Sequence, residues 1–340
     1  MSIASYAAPT IHMKQYFSSL FGLLIGGLIS CPVMANSDIT EYSGTCDASA
    51  AAAIGEKLFV AASDEDNVLR VYRLDKTDAP VSTLDLTDFL KSDVKHPEAD
   101  IEGAARVGDR IYWISSHGAN SDGKSRPGRR WFFATQVKVA GDAVTLTPVG
   151  VPYQNLVRDL ANLPALKDEK LAAAARIAPK QAGGLNIEGL STTPGGALLI
   201  GLRNPIPNGK ALLIPLENPD EVIAGKAAKL GTPIRLSLGG RGVRSMEYEP
   251  ALGRYLIVAG TAGEGGEFQL YQWSGVPAED ALPVGGVDFS GLQPEGMIVY
   301  PGDKVRVQVF SDDGTRKIGG KICKDAAIGE MHFRTIWVKL

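Results

Sequence analysis

The chain is poor in the residues that announce familiar chemistry. Of 340 residues only three are Cys and four are His, too few for a disulfide-dense scaffold, and neither Cys46 nor Cys323 has a CxxC partner or a nearby His at zinc-ligand spacing. No GxSxG elbow and no HExxH run occurs, so the common sequence signatures of serine hydrolases and zincins are missing. Basic charge is not in surplus: 35 Lys and Arg stand against 38 Asp and Glu, a net −3. Duplex binders carry a clustered basic excess, so no nucleic-acid partner is expected. The apolar run Tyr16–Ser30, 15 residues long, is too short to cross a bilayer comfortably, and no membrane span is expected. Glycine and proline, by contrast, number 39 and 20, which leaves little room for long helices and favours short strands joined by turns.

That apolar run follows Lys14 and ends in small residues at Val33-Met34-Ala35, the layout of a secretory signal peptide over residues 1–35. The expected mature chain is a single domain over 36–340, exported to the periplasm or secreted. Leu28-Ile29-Ser30-Cys31 offers a lipoprotein cleavage box as the alternative, with anchoring through Cys31. Cys46 and Cys323 then remain, and in an oxidising compartment they read as a disulfide closing a very long loop. Two free buried thiols are the alternative.

A repeated phrase organises the rest of the chain: a Glu, a short apolar stretch, a Gly turn, then an apolar strand. It occurs at Glu102 to Ser115, Glu188 to Gly201, Glu247 to Ala259 and Glu295 to Val309, with a copy lacking the Glu at Ile54 to Ser63. The glutamates are 86, 59 and 48 residues apart, and the first interval falls to 55 once the helix-patterned insertion 151–181 is removed. A period near 50 with several short strands predicts an all-β propeller of five blades, with six as the alternative. The last unit is one strand short, and Ile39–Ser43 can supply it, so that Cys46 and Cys323 staple the ring where the chain ends meet.

In a propeller the first strand of each blade lines the axis. Glu102, Glu188, Glu247 and Glu295 should therefore converge, and crowded carboxylates need a cation or donors. Glu102, Glu188, Glu295 and Asp312 are the candidate ligands of Ca²⁺ or another hard divalent cation. The plainer role for a recurring Glu is to accept backbone N–H groups of the next blade. Loops on the same face bring Asp64, Asp66, Asn120, Arg203, Asn204 and Asp313 toward one mouth, the expected site for a small polar or anionic ligand. His117 is the candidate proton carrier there. Lys124, Arg126, Arg129 and Arg130 form a basic run in the loop after it. Gly118–Ser125 fits GxxxxGK[ST], but Pro127-Gly128 and a strand follow where a phosphate-binding helix is required, so no nucleotide is expected.

The phrases around DIEGAARVGDRIYWISSHGAN, LNIEGLSTTPGGALLIGLRNP, RSMEYEPALGRYLIVAGTAGEG and LQPEGMIVYPGDKVRVQVFSDDG together resemble bacterial domain-of-unknown-function family 3616. They are also distantly similar to the phytase-like esterase and calcium-dependent lactonase propellers, in which an EG-type Glu on an inner strand binds metal. Only Glu102, Glu188 and Glu295 match that pattern, since Tyr248 follows Glu247. The resemblance implies a propeller and leaves activity open between a metal-assisted hydrolase of phosphoesters or lactones and a non-catalytic scaffold that uses a propeller face for a protein partner.

Overall fold

The computed structural model describes residues 39–340 except 142, 304 and 305. The expected signal segment and Cys31 lie outside the described residues. The chain opens with β1 (Thr40–Ser43) and then builds a first blade from β2 (Ala50–Ile54), β3 (Leu58–Ala62), β4 (Val68–Arg73) and β5 (Ser82–Asp85). A short helix, α1 (Thr87–Leu90), leads to blade 2: β6 (Ile101–Val107), β7 (Arg110–Ser115), β8 (Phe132–Ala140) and β9 (Ala143–Tyr153). The insertion contributes α2 (Leu156–Ala161) and α3 (Leu171–Ala174); residues 151–153, expected within it, belong to β9.

Blade 3 holds β10 (Asn186–Thr192), β11 (Leu198–Asn204), β12 (Lys210–Leu216) and β13 (Ile234–Ser237), with α4 (Pro219–Ile223) between its last two strands. Blade 4 holds β14 (Gly242–Glu249), β15 (Arg254–Gly260), β16 (Gln269–Trp273) and the two-residue β17 (Leu282–Pro283). The last sheet contains β18 (Pro294–Ile298) and β19 (Arg306–Ser311), a small hairpin of β20 (Lys317–Ile318) and β21 (Lys321–Ile322) intervenes, and β22 (His332–Lys339) comes after it. Its fourth, outermost strand is β1, paired antiparallel with β22 from Thr40 opposite Thr335 to Ser43 opposite His332.

Five four-stranded antiparallel sheets thus form a five-bladed propeller. Each of β2, β6, β10 and β14 touches the next innermost strand, and β18 touches β2, which closes the ring. One apolar cluster fills each gap between blades. Blades 2 and 3 bury Tyr112, Phe132, Leu190 and Leu212 together with Leu156, Leu160 and Leu171 of the insertion. The closure between blades 5 and 1 is aromatic instead, with Tyr42, Phe59, Tyr72, Phe310 and Phe333 packed together and Tyr42 stacked on Phe333 at 5.5 Å. Rings of this size bury large areas and hold one another edge to face, which suits a joint between chain ends. Cys46 and Cys323 are disulfide-bonded beside it, across a sequence separation of 277.

The glycine after each ring Glu has a packing reason. A Cβ on Gly189 would stand 2.6 Å from the Val243 side chain and 3.0 Å from the Gly201 Cα, and one on Gly296 would stand 2.8 Å from the Ala48 carbonyl. The inner strands approach so closely that nothing larger fits.

Candidate functional site: an acidic axial cavity

A cavity of about 610 Å³ opens at the loop-rich end of the axis. Its lining includes Asp64, Glu98, Asp100, Glu102, Glu295 and Asp312 with Arg129, Lys180 and Arg203. Asp64 comes from the loop after β3, Asp100 and Glu102 from the entry to β6, Glu295 from β18 and Asp312 from just beyond β19. The end of the insertion, Ala178–Gln181, forms one wall.

Strand register explains which side chains reach the axis. In β6, β10 and β18 the pairing with the second strand slips between Ile101 and Gly103, Ile187 and Gly189, and Pro294 and Gly296. The extra residue is Glu102, Glu188 or Glu295, so each ring Glu sits on a β-bulge, a device that re-aims one side chain without losing the strand. In β14 the slip falls between Val243 and Ser245. Its bulge residue is therefore Arg244. β2 pairs with β3 without any slip, which accounts for the missing Glu in the first copy.

The expectation that Glu247 joins the ring is thus corrected. It lines a second cavity of about 540 Å³ with Glu249, Tyr248 and the first-turn residues Gly55, Gly108 and Gly302, away from the mouth. Burial, with Glu249 adding to it, raises its carboxyl well above the ordinary value.

Arg244 supplies a positive charge in the ring. Its Nε lies 3.2 Å from Glu188 Oε2 and its Nη2 holds Glu295 Oε1. Glu188 Oε1 also accepts Arg203 Nη1 at 2.8 Å and Asn186 Nδ2 at 2.8 Å. Arg203 is tied further to the carbonyls of Thr261 and Gly263, at 3.2 and 2.6 Å. Glu188 and Arg203 are both nearly sealed, at 2% and 5% exposure. Of the expected ligands, then, Glu188 is committed to two guanidiniums, and Glu295 to one.

Glu102 differs. It is buried, and its Oε2 has no hydrogen-bond partner. One oxygen each from Asp64, Asp100 and Glu102 lie within 4.8 Å of one another. Asp100 reaches this position from a left-handed backbone, φ 56°, a conformation that Asp tolerates better than most residues but that still costs energy. It accepts the Ser116 hydroxyl and lies 3.2 Å from Arg129 Nη1.

Burial, then repulsion from Glu188, Glu295 and other acids, lifts the Glu102 carboxyl well above its ordinary range. Burial, followed by Asp47 and Asp312, does the same to Asp64. Burial raises Asp100 against the opposing pull of Arg129, and Asp312 against the Gly314 N–H. Asp47 is pushed up to about 7 by burial and then Asp312. Glu295 is pushed up to about 8, burial outweighing Arg244. These groups crave a proton or a cation.

Most of the other expected site residues hold loops and strands together. Asn120 lines the cavity, but its amide oxygen accepts the N–H of Lys124 at 2.7 Å and closes the loop. Asp66 is not in the lining: it pairs with Arg70 at 2.6 Å and caps Val68 N at 2.9 Å. Asn204 donates to the carbonyls of Pro179 and Gln181 at 2.8 and 2.6 Å, pinning the insertion to blade 3. Asp313 is buried against Arg334, 2.6 Å away. His117, expected on the mouth, is corrected: it is fully buried, both ring nitrogens lack partners, and burial followed by the Arg130 charge holds it down at about 3. A neutral, sealed imidazole carries no proton to a ligand.

Arg244, Asp47 and Asp100 were not singled out from the sequence. For Arg244 a signal existed, since Val243-Arg244-Ser245 repeats the apolar, charged, small order of Ile101-Glu102-Gly103.

The fold and this mouth define a five-bladed propeller with a carboxylate-rich axial cavity. A family model described as "Protein of unknown function (DUF3616)" matches residues 47–129 and 152–284, and the chain belongs to that family. No curated protein matches the chain. Among solved structures it is similar to the GH43 protein BlXynB of Bacillus licheniformis, at 11% identity and a TM-score of 0.45 over 88% of this chain and 54% of that one. It is similar also to the PQQ-bound aldose sugar dehydrogenase of Streptomyces coelicolor, at 9% identity and 0.41 over 89% and 98%. A third is the Cps50 (Swd1) beta-propeller domain of Myceliophteria thermophila, at 10% identity and 0.37 over 88% and 98%. None of these carries an argument about activity.

Proposed function

We propose that this is an exported propeller whose mouth holds a hard divalent cation, Ca²⁺ or one like it, on Asp64, Asp100 and Glu102, and that the cation presents a small anionic ligand for hydrolysis. The carrying observation is the orphaned, buried Oε2 of Glu102 beside two further carboxylates. A carboxylate in that position is costly unless a cation joins it, and oxygen donors of this kind suit Ca²⁺ or Mg²⁺. A bound cation of this class supplies Lewis-acid polarisation of an ester or lactone oxygen. The chain's own contribution is orientation and charge. Lys180, at the cavity wall, attracts the anionic end of a phosphoester or an opened lactone. Glu295, the lining carboxyl raised to about 8, holds a proton at neutral pH in place of His117. The disulfide supports export, and among the described residues no helix is long and apolar enough to cross a membrane.

The test is calorimetric titration of the EDTA-treated chain with Ca²⁺, alongside thermal melting and a panel of phosphoesters and lactones. A melting rise with Ca²⁺ that Glu102→Gln abolishes supports the site. No uptake by the folded wild type removes the reading, and uptake without turnover on the panel leaves a binding protein.

A further inference from the structure

Arg129 and Arg130 are adjacent in the loop before β8 but line different cavities. Arg129 enters the axial mouth, 2.9 Å from Glu98. Arg130 lines a separate groove of about 560 Å³ between this loop and the helical insertion. Arg158 of α2 and Arg176, just beyond α3, line the same groove with Ser125, Asn155 and Asn162. Three guanidiniums therefore arrive from three segments of chain. No Asp or Glu is among the described residues of this lining, in a protein whose acids outnumber its bases.

The local charge balance is poor without a ligand. Arg130 places Nη2 3.1 Å from the Ser125 hydroxyl, but its Nε is buried with no hydrogen-bond partner. Burial and the nearby Arg176 charge both hold the Arg130 guanidinium below its ordinary value. Arg158 is paired with Asp159, 3.5 Å from its Nε, and that carboxylate also accepts the Tyr153 hydroxyl. Like charges gathered in a cleft repel unless an anion joins them, and the guanidinium fork matches the oxygens of a tetrahedral oxyanion.

We propose that this groove binds a phosphate monoester group through Arg130, Arg158 and Arg176, with Ser125 and Asn155 beside it. A dianion answers three guanidiniums better than a monoanionic carboxylate does, and the amide side chains leave donors for the organic part. The Gly118–Ser125 run contributes Gly123 and Ser125 to the wall, whereas the Lys124 side chain is 71% exposed and lies 3.6 Å from Asp122. This is a side-chain site and differs from a nucleotide loop, whose backbone amides cradle the phosphates. It does not depend on the cation reading of the mouth.

The test is titration calorimetry and thermal melting with inorganic phosphate and phenyl phosphate, with sodium chloride at matched ionic strength as control. Arg158 and Arg176 are exposed, so glutamine at either leaves the core intact. Phenyl phosphate should raise the melting temperature where chloride does not. Arg176→Gln should weaken it about tenfold and the Arg158→Gln, Arg176→Gln pair about a hundredfold, with Glu102→Gln unchanged. Flotation with phosphatidylcholine vesicles, with or without phosphatidic acid, separates a lipid headgroup from a soluble ester as the source, and binding of either kind supports the site. Binding of neither phosphate nor phosphatidic acid, or equal binding by the folded double variant, overturns it.

Discussion

Two glutamates at equivalent bulges, Glu102 and Glu188, should respond in opposite ways to the same substitution. Glu188 is held between Arg203 and Arg244, and glutamine there strands two buried guanidiniums. Glu188→Gln should cost about 3–5 kcal/mol of unfolding free energy, read as a lowered denaturation midpoint. Glu102 has an orphaned oxygen and a carboxyl raised by burial and its acidic neighbours, so glutamine resembles the form it already takes. Glu102→Gln should leave metal-free stability within about 0.5 kcal/mol of wild type while removing the response to Ca²⁺. Two other buried carboxyls near the axis, Asp47 and Glu295, set a pH dependence. Burial raises Asp47 to about 7 and Glu295 to about 8, above their unfolded values, so the folded state keeps protons that the unfolded state releases. Their contribution to metal-free stability is full below about pH 4. From there it should decline by about 1.4 kcal/mol per pH unit for each group until it is spent near pH 7 for Asp47 and pH 8 for Glu295. Melting curves from pH 5 to 8 in EDTA that stay level or rise would contradict this. With Ca²⁺ present the melting increment should grow with pH, because the cation competes with protons on Asp64, Asp100 and Glu102, whose carboxyls burial raises.

The bulge is the element that decides the site's composition. A strand alternates its side chains between faces, and one extra residue turns a chosen side chain toward the axis while the rest of the ladder stays in register. Four blades carry this device and one does not, and in blade 4 the device presents Arg244 rather than an acid. Arg244→Met should therefore leave Glu188 short of a positive charge and Glu295 Oε1 without its donor. The metal-free variant should melt well below wild type and recover more on adding Ca²⁺ than wild type gains; equal increments would show that Arg244 does not substitute for a metal in the ring. The strands, the Gly turns and the five units were legible because hydrophobic runs and Gly punctuation are local properties of sequence. Arg244 was not, because SMEYE offers a Glu six residues before Gly253, as Glu102 stands before Gly108. The pairing of β14 with β15 puts the equivalent position three residues earlier, at Val243-Arg244-Ser245, whose apolar, charged, small order is a weaker signal than that Glu. His117 misled for a related reason: its neighbours Gly118 and Asn120 are turn-forming loop residues, yet its ring is fully buried on a left-handed backbone, φ 56°.

At the scale of the whole molecule the propeller is a ring that must be closed, and its seam is where stability is decided. The closing sheet takes its outer strand from β1 and its other three from the last quarter of the chain, so blade 5 cannot be completed until both ends have met. This pairing was legible from a unit one strand short and a Cys near each end. Its energetics were not, because the aromatic cluster draws Tyr42, Phe59, Tyr72, Phe310 and Phe333 from stretches far apart in sequence. The Cys46–Cys323 bond closes a separation of 277 residues, for which the chain-entropy argument assigns about 5 kcal/mol of stabilisation through the unfolded state. The joint Cys46→Ser, Cys323→Ser variant should fold, since the aromatic joint and the β1–β22 ladder remain, but its guanidinium midpoint should fall clearly. Phe333→Ala in the oxidised chain should cost about 3–5 kcal/mol through the lost packing. Combining the two should cost more than either alone and expose the chain to proteolysis near β1. If both folded variants keep the wild-type midpoint, the seam is not the weak joint, and stability would have to be spread evenly over the five interfaces between blades.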